Sequence, residues 1–150
     1  MDQYLEFATN HVLLVSAFFM VASALLWHMM ANPTARFSVE PTEGVRLINR
    51  ENAHVLDVRP MAEFKQEGHI QNAENIPLNG LKNNLKKLEK YKDTPIITVC
   101  RSGSRSAGAS TTLRKAGFTQ TYNLRGGMLA WESAQLPVSK QPEKRAGKRK

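Results

Sequence analysis

Apolar positions fall into three regimes along the chain. From Val12 to Met30 they are almost continuous, VLLVSAFFMVASALLWHMM, with no Asp, Glu, Lys or Arg. From Phe37 to about Val138 short β-branched bursts alternate with amphipathic stretches, and from Ser139 to Lys150 apolar residues nearly disappear. Read as a helix, the first regime is about 28 Å long, close to the ~30 Å hydrocarbon thickness of a bilayer. It predicts a transmembrane helix over 12–30, with Trp27 and His28 suited to the interface. Two other readings compete. A cleaved signal opens on basic residues and ends at a small-x-small site, whereas this chain opens with Asp2 and Glu6, and Ala31-Asn32-Pro33-Thr34-Ala35 matches such a site poorly. A core helix apolar on every side needs more cover than about 100 remaining residues provide. No Lys or Arg precedes the helix, while Arg36, Arg46 and Arg50 follow it, which places the following domain on the cytoplasmic side.

In the second regime, Phe37-Ser38-Val39 reads as a brief edge strand. Pro41-Thr42-Glu43 opens a helix with Val45 and Ile48 on one face, ending within Asn49 to Asn52. His54 to Val58 is a strand, followed by a helix from Pro60 to Glu67 with Met61 and Phe64 inward and Gly68 as its stop. Glu74-Asn75-Ile76 is a strand ended by Pro77. Leu81, Leu85 and Leu88 mark one face of a helix whose lysines form a solvated face. Asp93-Thr94-Pro95 turns the chain into the strand Ile96 to Val99, and Ser106 to Ala116 is a small-residue helix stopped by Gly117. Thr121 to Leu124 is the last strand, and Gly126-Gly127 opens a final helix carrying Leu129 and Trp131. This alternation predicts an α/β domain with a mostly parallel sheet and helices on both faces. The layout is a polar segment (1–11), a transmembrane helix (12–30), a linker (31–36), the α/β domain (37–138) and a basic, disordered tail (139–150).

Candidate chemistry belongs at the C-terminal ends of the strands. Three pieces fall there: Asp57-Val58-Arg59, the loop after Val99, and Arg125-Gly126-Gly127. The loop Cys100-Arg101-Ser102-Gly103-Ser104-Arg105-Ser106 holds the chain's one cysteine. At a strand's end and a helix's start, backbone N–H groups and the helix dipole favour a thiolate, and Arg101 and Arg105 add positive charge. Cys100 is the candidate nucleophile. The alternative, an inert buried hydrophobe, does not account for two arginines, a glycine and three serines in the next six positions. A single cysteine also excludes an internal disulfide and a Cys-rich metal site.

Charge adds little to the domain. Of the formal +8, most comes from the tail, where Lys140, Lys144, Arg145, Lys148, Arg149 and Lys150 stand against Glu143. Nucleic-acid binding suggested by the overall charge therefore concerns the tail alone, which lacks interleaved aromatics. A solubilising end and attraction to anionic lipid headgroups are the favoured readings.

Leu56-Asp57-Val58-Arg59 with Glu63-Phe64, Gly68-His69-Ile70 and Asn75-Ile76-Pro77, then Cys100 to Ser106, then Gly126-Gly127-Met128-Leu129-Ala130-Trp131, resemble in order and spacing the three motifs of the single-domain rhodaneses. The whole architecture is similar to small rhodanese-like proteins of the bacterial inner membrane. Asn72-Ala73 stands where that family usually has Gly-Ala, and Asn tolerates the left-handed turn. The resemblance implies a rhodanese-like fold and a thiosulfate:cyanide type of sulfur transfer through a persulfide on Cys100, without metal or organic cofactor. Arg101 to Ser106 would form the cradle, and its arginines would attract an anionic donor. Asp57, Arg59 and Glu63 would support the loops through ion pairs and caps. His69 is read as a packed or hydrogen-bonding residue, and Trp131 as core. Two alternatives stay open: a membrane-tethered docking module for a protein partner, and a phosphatase or arsenate reductase on the same fold. The phosphatases use Cys-x5-Arg, whereas Cys100 and Arg105 form the tighter Cys-x4-Arg.

Overall fold

The computed structural model describes residues 7, 9–30 and 35–140. Most of the expected polar segment, residues 31–34 of the linker and the tail beyond Lys140 lie outside them. Two compact units are present, 1–36 and 37–150. In the first, helix α1 (Val12–Met30) has the bounds its sequence predicts. Its apolar side chains are open to solvent, Leu13 at 86% and Trp27 at 77% exposure. Side chains are described only to Trp27, about 24 Å of helix, and among the described residues no helix is long and apolar enough to cross a membrane. The expected helix forms; its role as a span finds no support in these residues.

The second unit is built from β1 (Ser38–Val39), α2 (Pro41–Glu51), β2 (His54–Asp57), α3 (Met61–Gln66), β3 (Glu74–Asn75), α4 (Leu85–Leu88), β4 (Ile96–Val99), α5 (Ser104–Lys115), β5 (Thr121–Leu124) and α6 (Gly127–Ser133). The strands form one sheet in the order β1-β5-β4-β2-β3, every pairing parallel. β4 lies at the centre, its Ile97 opposite Val55 on one side and Tyr122 on the other. All four of its residues are buried, as the β-branched run Ile96-Ile97-Thr98-Val99 suits in a strand covered on both faces. The two-residue period divides the core. Val55, Ile97 and Val99 join Leu47 of α2 and Met128 and Trp131 of α6, while Leu56 and Ile96 join Leu81, Leu88 and α5's Ala109 and Leu113.

Several expected boundaries move. Phe37 belongs to a 3-10 turn (Ala35–Phe37) rather than to β1, and its ring lies 4.3 Å under the Arg114 guanidinium. The expected helix around Leu81 to Leu88 breaks into short 3-10 turns and the single turn of α4. There Asn84 donates its amide to the Gly80 carbonyl at 2.8 Å, a local bond that competes with a regular helix. Met61 is 46% exposed at the start of α3 rather than inward; Phe64 is buried and stacks on His69 at 3.9 Å. Ser139 is not part of a disordered tail, because it exchanges two backbone hydrogen bonds with His69 at 2.8 and 2.9 Å. Asn72 adopts the left-handed conformation, φ 61°.

Candidate active site

β4 delivers Cys100 to the C-terminal edge of the sheet, between β2 and β5. α5 starts two residues earlier than its sequence pattern predicts, because Gly103 (φ 91°) folds the loop back on itself and makes Ser104 the first helical residue. Ser106 thereby becomes the third residue of α5, whose N–H has no intrahelical partner. The loop closes around the sulfur. Gly103 N and Ser106 N stand 3.2 and 3.4 Å from Cys100 Sγ, and Ser106 Oγ stands 3.2 Å away. Burial pushes the thiol up, but hydrogen bonds from the Ser106 hydroxyl and from the N–H groups of Ser106, Gly103 and Ser102 outweigh it, and the net displacement is downward. Cys100 is only 1% exposed, so a reactant reaches the sulfur through the mouth of the cradle.

The arginines are compensated rather than bare. Arg105 makes two parallel bonds to Glu63 at 2.9 and 2.8 Å, and these hold the Glu63 carboxyl below its ordinary value. Arg101 donates to Glu67 at 2.9 Å. Beneath them Arg59, fully buried, grips both oxygens of Asp57, donates to the Gly68 carbonyl at 2.7 Å and approaches Glu67 at 3.4 Å. Asp57 Oδ1 also accepts the Arg59 backbone N–H, and Asn75 ties the carbonyls of both residues. Asp57, Arg59 and Glu63 therefore sit in ion pairs that lock the end of β2 and helix α3 to the cysteine loop. Ser102 and Ser104 lie on the loop's outer side, exposed. His69 is buried, with Nδ1 3.2 Å from the Phe64 carbonyl, and Trp131 is core. Among the described residues no cluster of three His, Cys, Asp or Glu is placed to ligate a metal.

Two contributors escape a reading of the motifs. Thr98, within β4, donates to the Ser106 carbonyl at 3.0 Å, and Asn123, on β5, reaches both Ser106 and Gly103. Their signal in the sequence is a polar residue inside a strand otherwise destined for the core, where Asn in particular is disfavoured. The glycine pair adds a closing contact. Met128 N and Leu129 N at the start of α6 donate to the carbonyls of Cys100 and Arg101 at 2.8 and 3.1 Å. This approach demands Gly127, whose φ is 58° and where a Cβ would overlap the Cys100 carbonyl oxygen and stand 2.7 Å from Arg101. Gly127→Ala is expected to cost about 2–4 kcal/mol of stability and to spread the cradle. Gly108→Ala, in the middle of α5 with nothing within 4 Å, should instead gain about 0.5–1 kcal/mol. Denaturant unfolding of both variants checks the contrast.

The model of the rhodanese-like domain family matches residues 40–134, the stretch that holds β2 to β5 and the cysteine loop. The chain belongs to the rhodanese-like domain family. It is 34% identical over 140 residues to the protein YibN of Escherichia coli K12, covering 92% of this chain and 97% of that one. It is 34% identical over 90 residues to the thiosulfate sulfurtransferase GlpE of Pseudoalteromonas translucida, covering 60% of this chain and 83% of that one. The crystal structure of a rhodanese-related protein from Thermoplasma volcanium superposes with a TM-score of 0.63 at 31% identity, over 69% of this chain and 98% of that one.

Proposed function

We propose that this rhodanese-like protein moves a sulfane sulfur from a donor such as thiosulfate to cyanide or a thiol, through a persulfide on Cys100. The observation that carries the reading is the convergence of the Gly103 and Ser106 N–H groups on the Cys100 sulfur. Preorganised donors of this kind stabilise a thiolate, and then an anionic persulfide, as an oxyanion hole stabilises developing charge. The thiolate attacks the outer sulfur of thiosulfate; the Cys–S bond forms as the donor's S–S bond breaks and sulfite leaves with the electron pair. Cyanide or a thiolate then attacks the outer sulfur of the persulfide, and Cys100 departs as thiolate. The Cys-x4-Arg spacing from Cys100 to Arg105, one residue shorter than the Cys-x5-Arg of the phosphatases, supports sulfur transfer over oxyanion hydrolysis. Intact mass of the full chain after incubation with thiosulfate tests this. A gain of about 32 Da that cyanide removes is expected; no gain with thiosulfate or other sulfane donors would overturn it.

The proposal extends to location: α1 attaches the protein to a bacterial inner membrane with the rhodanese-like domain on the cytoplasmic side. Its uncharged, solvent-open apolar surface supports attachment, and Arg36, Arg46 and Arg50 after it support the orientation. The full chain is expected to stay with membranes through a carbonate wash and to be released when residues 1–36 are deleted. Release of the full chain in the wash would reject the attachment.

A further inference from the structure

The side-chain amide of Asn123 faces two groups of the cradle at once. Nδ2 lies 3.1 Å from the Gly103 carbonyl oxygen and Oδ1 lies 2.6 Å from Ser106 Oγ. The orientation of the amide is settled by chemistry, because a carbonyl oxygen only accepts and the NH2 group must face it. Oδ1, also an acceptor, can then meet Ser106 only if Ser106 donates. Ser106 has one hydroxyl hydrogen and three acceptors within reach: Asn123 Oδ1 at 2.6 Å, Cys100 Sγ at 3.2 Å and the Gly103 carbonyl at 3.2 Å. The shortest of these is to Asn123.

We propose that Asn123 holds the Ser106 hydroxyl hydrogen away from Cys100 while the cysteine is a thiol, and surrenders it when the sulfur ionises. With the thiol protonated, every hydrogen has a place. S–H donates to Ser106 Oγ, Ser106 donates to Asn123 Oδ1, and Asn123 donates to Gly103. When the proton leaves to solvent, the thiolate can only accept, so the Ser106 hydrogen swings to Sγ and Oδ1 loses its partner. Asn123 is a positioning residue that acts through Ser106 and restrains the thiolate. The inference rests on Cys100 being the nucleophile of the proposed transfer, but its readout needs no sulfur donor.

The test is the pH dependence of iodoacetamide alkylation of the full chain, whose one cysteine makes the signal unambiguous. Freed from Asn123, Ser106 favours the thiolate. Asn123→Ala is therefore expected to lower the midpoint, with about threefold to tenfold more thiolate below it, the worth of one neutral hydrogen bond. Asn123→Asp, which keeps and strengthens the acceptor and adds negative charge, should raise the midpoint. Ser106→Ala should also raise it, and adding Asn123→Ala to Ser106→Ala should change nothing further. An unchanged or raised midpoint in Asn123→Ala would overturn the proposal. So would an equal shift in the Ser106→Ala background, which would mean that Asn123 merely braces the Gly103 loop. Absence of persulfide with intact alkylation shifts would instead refute the sulfur-transfer reading alone.

Discussion

Cys100→Ser is expected to abolish the proposed sulfur transfer, with a loss of at least about a thousandfold from every donor. A hydroxyl at this position meets the same N–H groups of Gly103 and Ser106 but does not ionise near neutral pH, so the anionic nucleophile and the persulfide are both lost. Because the exchange is nearly isosteric, the fold should persist, and thermal unfolding of the variant should follow that of the wild type closely. Retention of more than about a hundredth of the wild-type rate would remove Cys100 from the chemistry. A pH dependence accompanies this result. The cradle lowers the thiol's pKa, so the thiolate survives below the pH at which an ordinary cysteine is protonated, and the wild-type rate should fall only as pH drops through that lowered value. The same displacement stabilises the fold above the unfolded cysteine's pKa, and this contribution is lost as pH falls through the folded one.

Arg59→Ala has the largest expected effect on stability, about 3–5 kcal/mol. The side chain is 0% exposed and Asp57 only 1%, so truncation strands a buried carboxylate and leaves the Gly68 carbonyl without its donor. It also frees Glu67 from one of its two arginines, loosening the anchor of Arg101. Adding Asp57→Asn to Arg59→Ala removes the stranded charge and should recover part of the loss, a dependence that urea unfolding of the single and double variants measures. A cost below about 1 kcal/mol for Arg59→Ala would mean that water, not Arg59, satisfies Asp57. Surface pairs give a useful scale: Arg101–Glu67, with side chains 57% and 39% exposed, should matter more to the shape of the mouth than to stability.

Much of this molecule is written in short-range pattern. The burst Ile96-Ile97-Thr98-Val99, the helices between bursts and the cysteine at a strand's end each depend on residues a few positions apart, so they were legible; the left-handed turn at Asn72 was expected from the family resemblance. Boundaries were less so. Phe37 left its strand for Arg114, and α5 began early because Gly103 could turn. Met61 and Phe64 are three apart and predicted to share a face, yet only Phe64 is buried, since the first residue of so short a helix lies at the rim.

By itself the sequence determined the α/β alternation and the apolar helix of α1, and it singled out Cys100 and its loop as the candidate site. Only the tertiary structure decided what surrounds that cysteine. Glu63 meets Arg105 across 42 residues, Glu67 meets Arg101 across 34 and Asn123 meets Ser106 across 17. The arginines that a linear reading offers to an anion are thereby held by carboxylates, and a strand asparagine becomes part of the cradle. The physical reason is the strand order β1-β5-β4-β2-β3: it sets β2 and β5 on either side of β4, so groups distant along the chain converge on one sheet edge, where no local periodicity records their meeting.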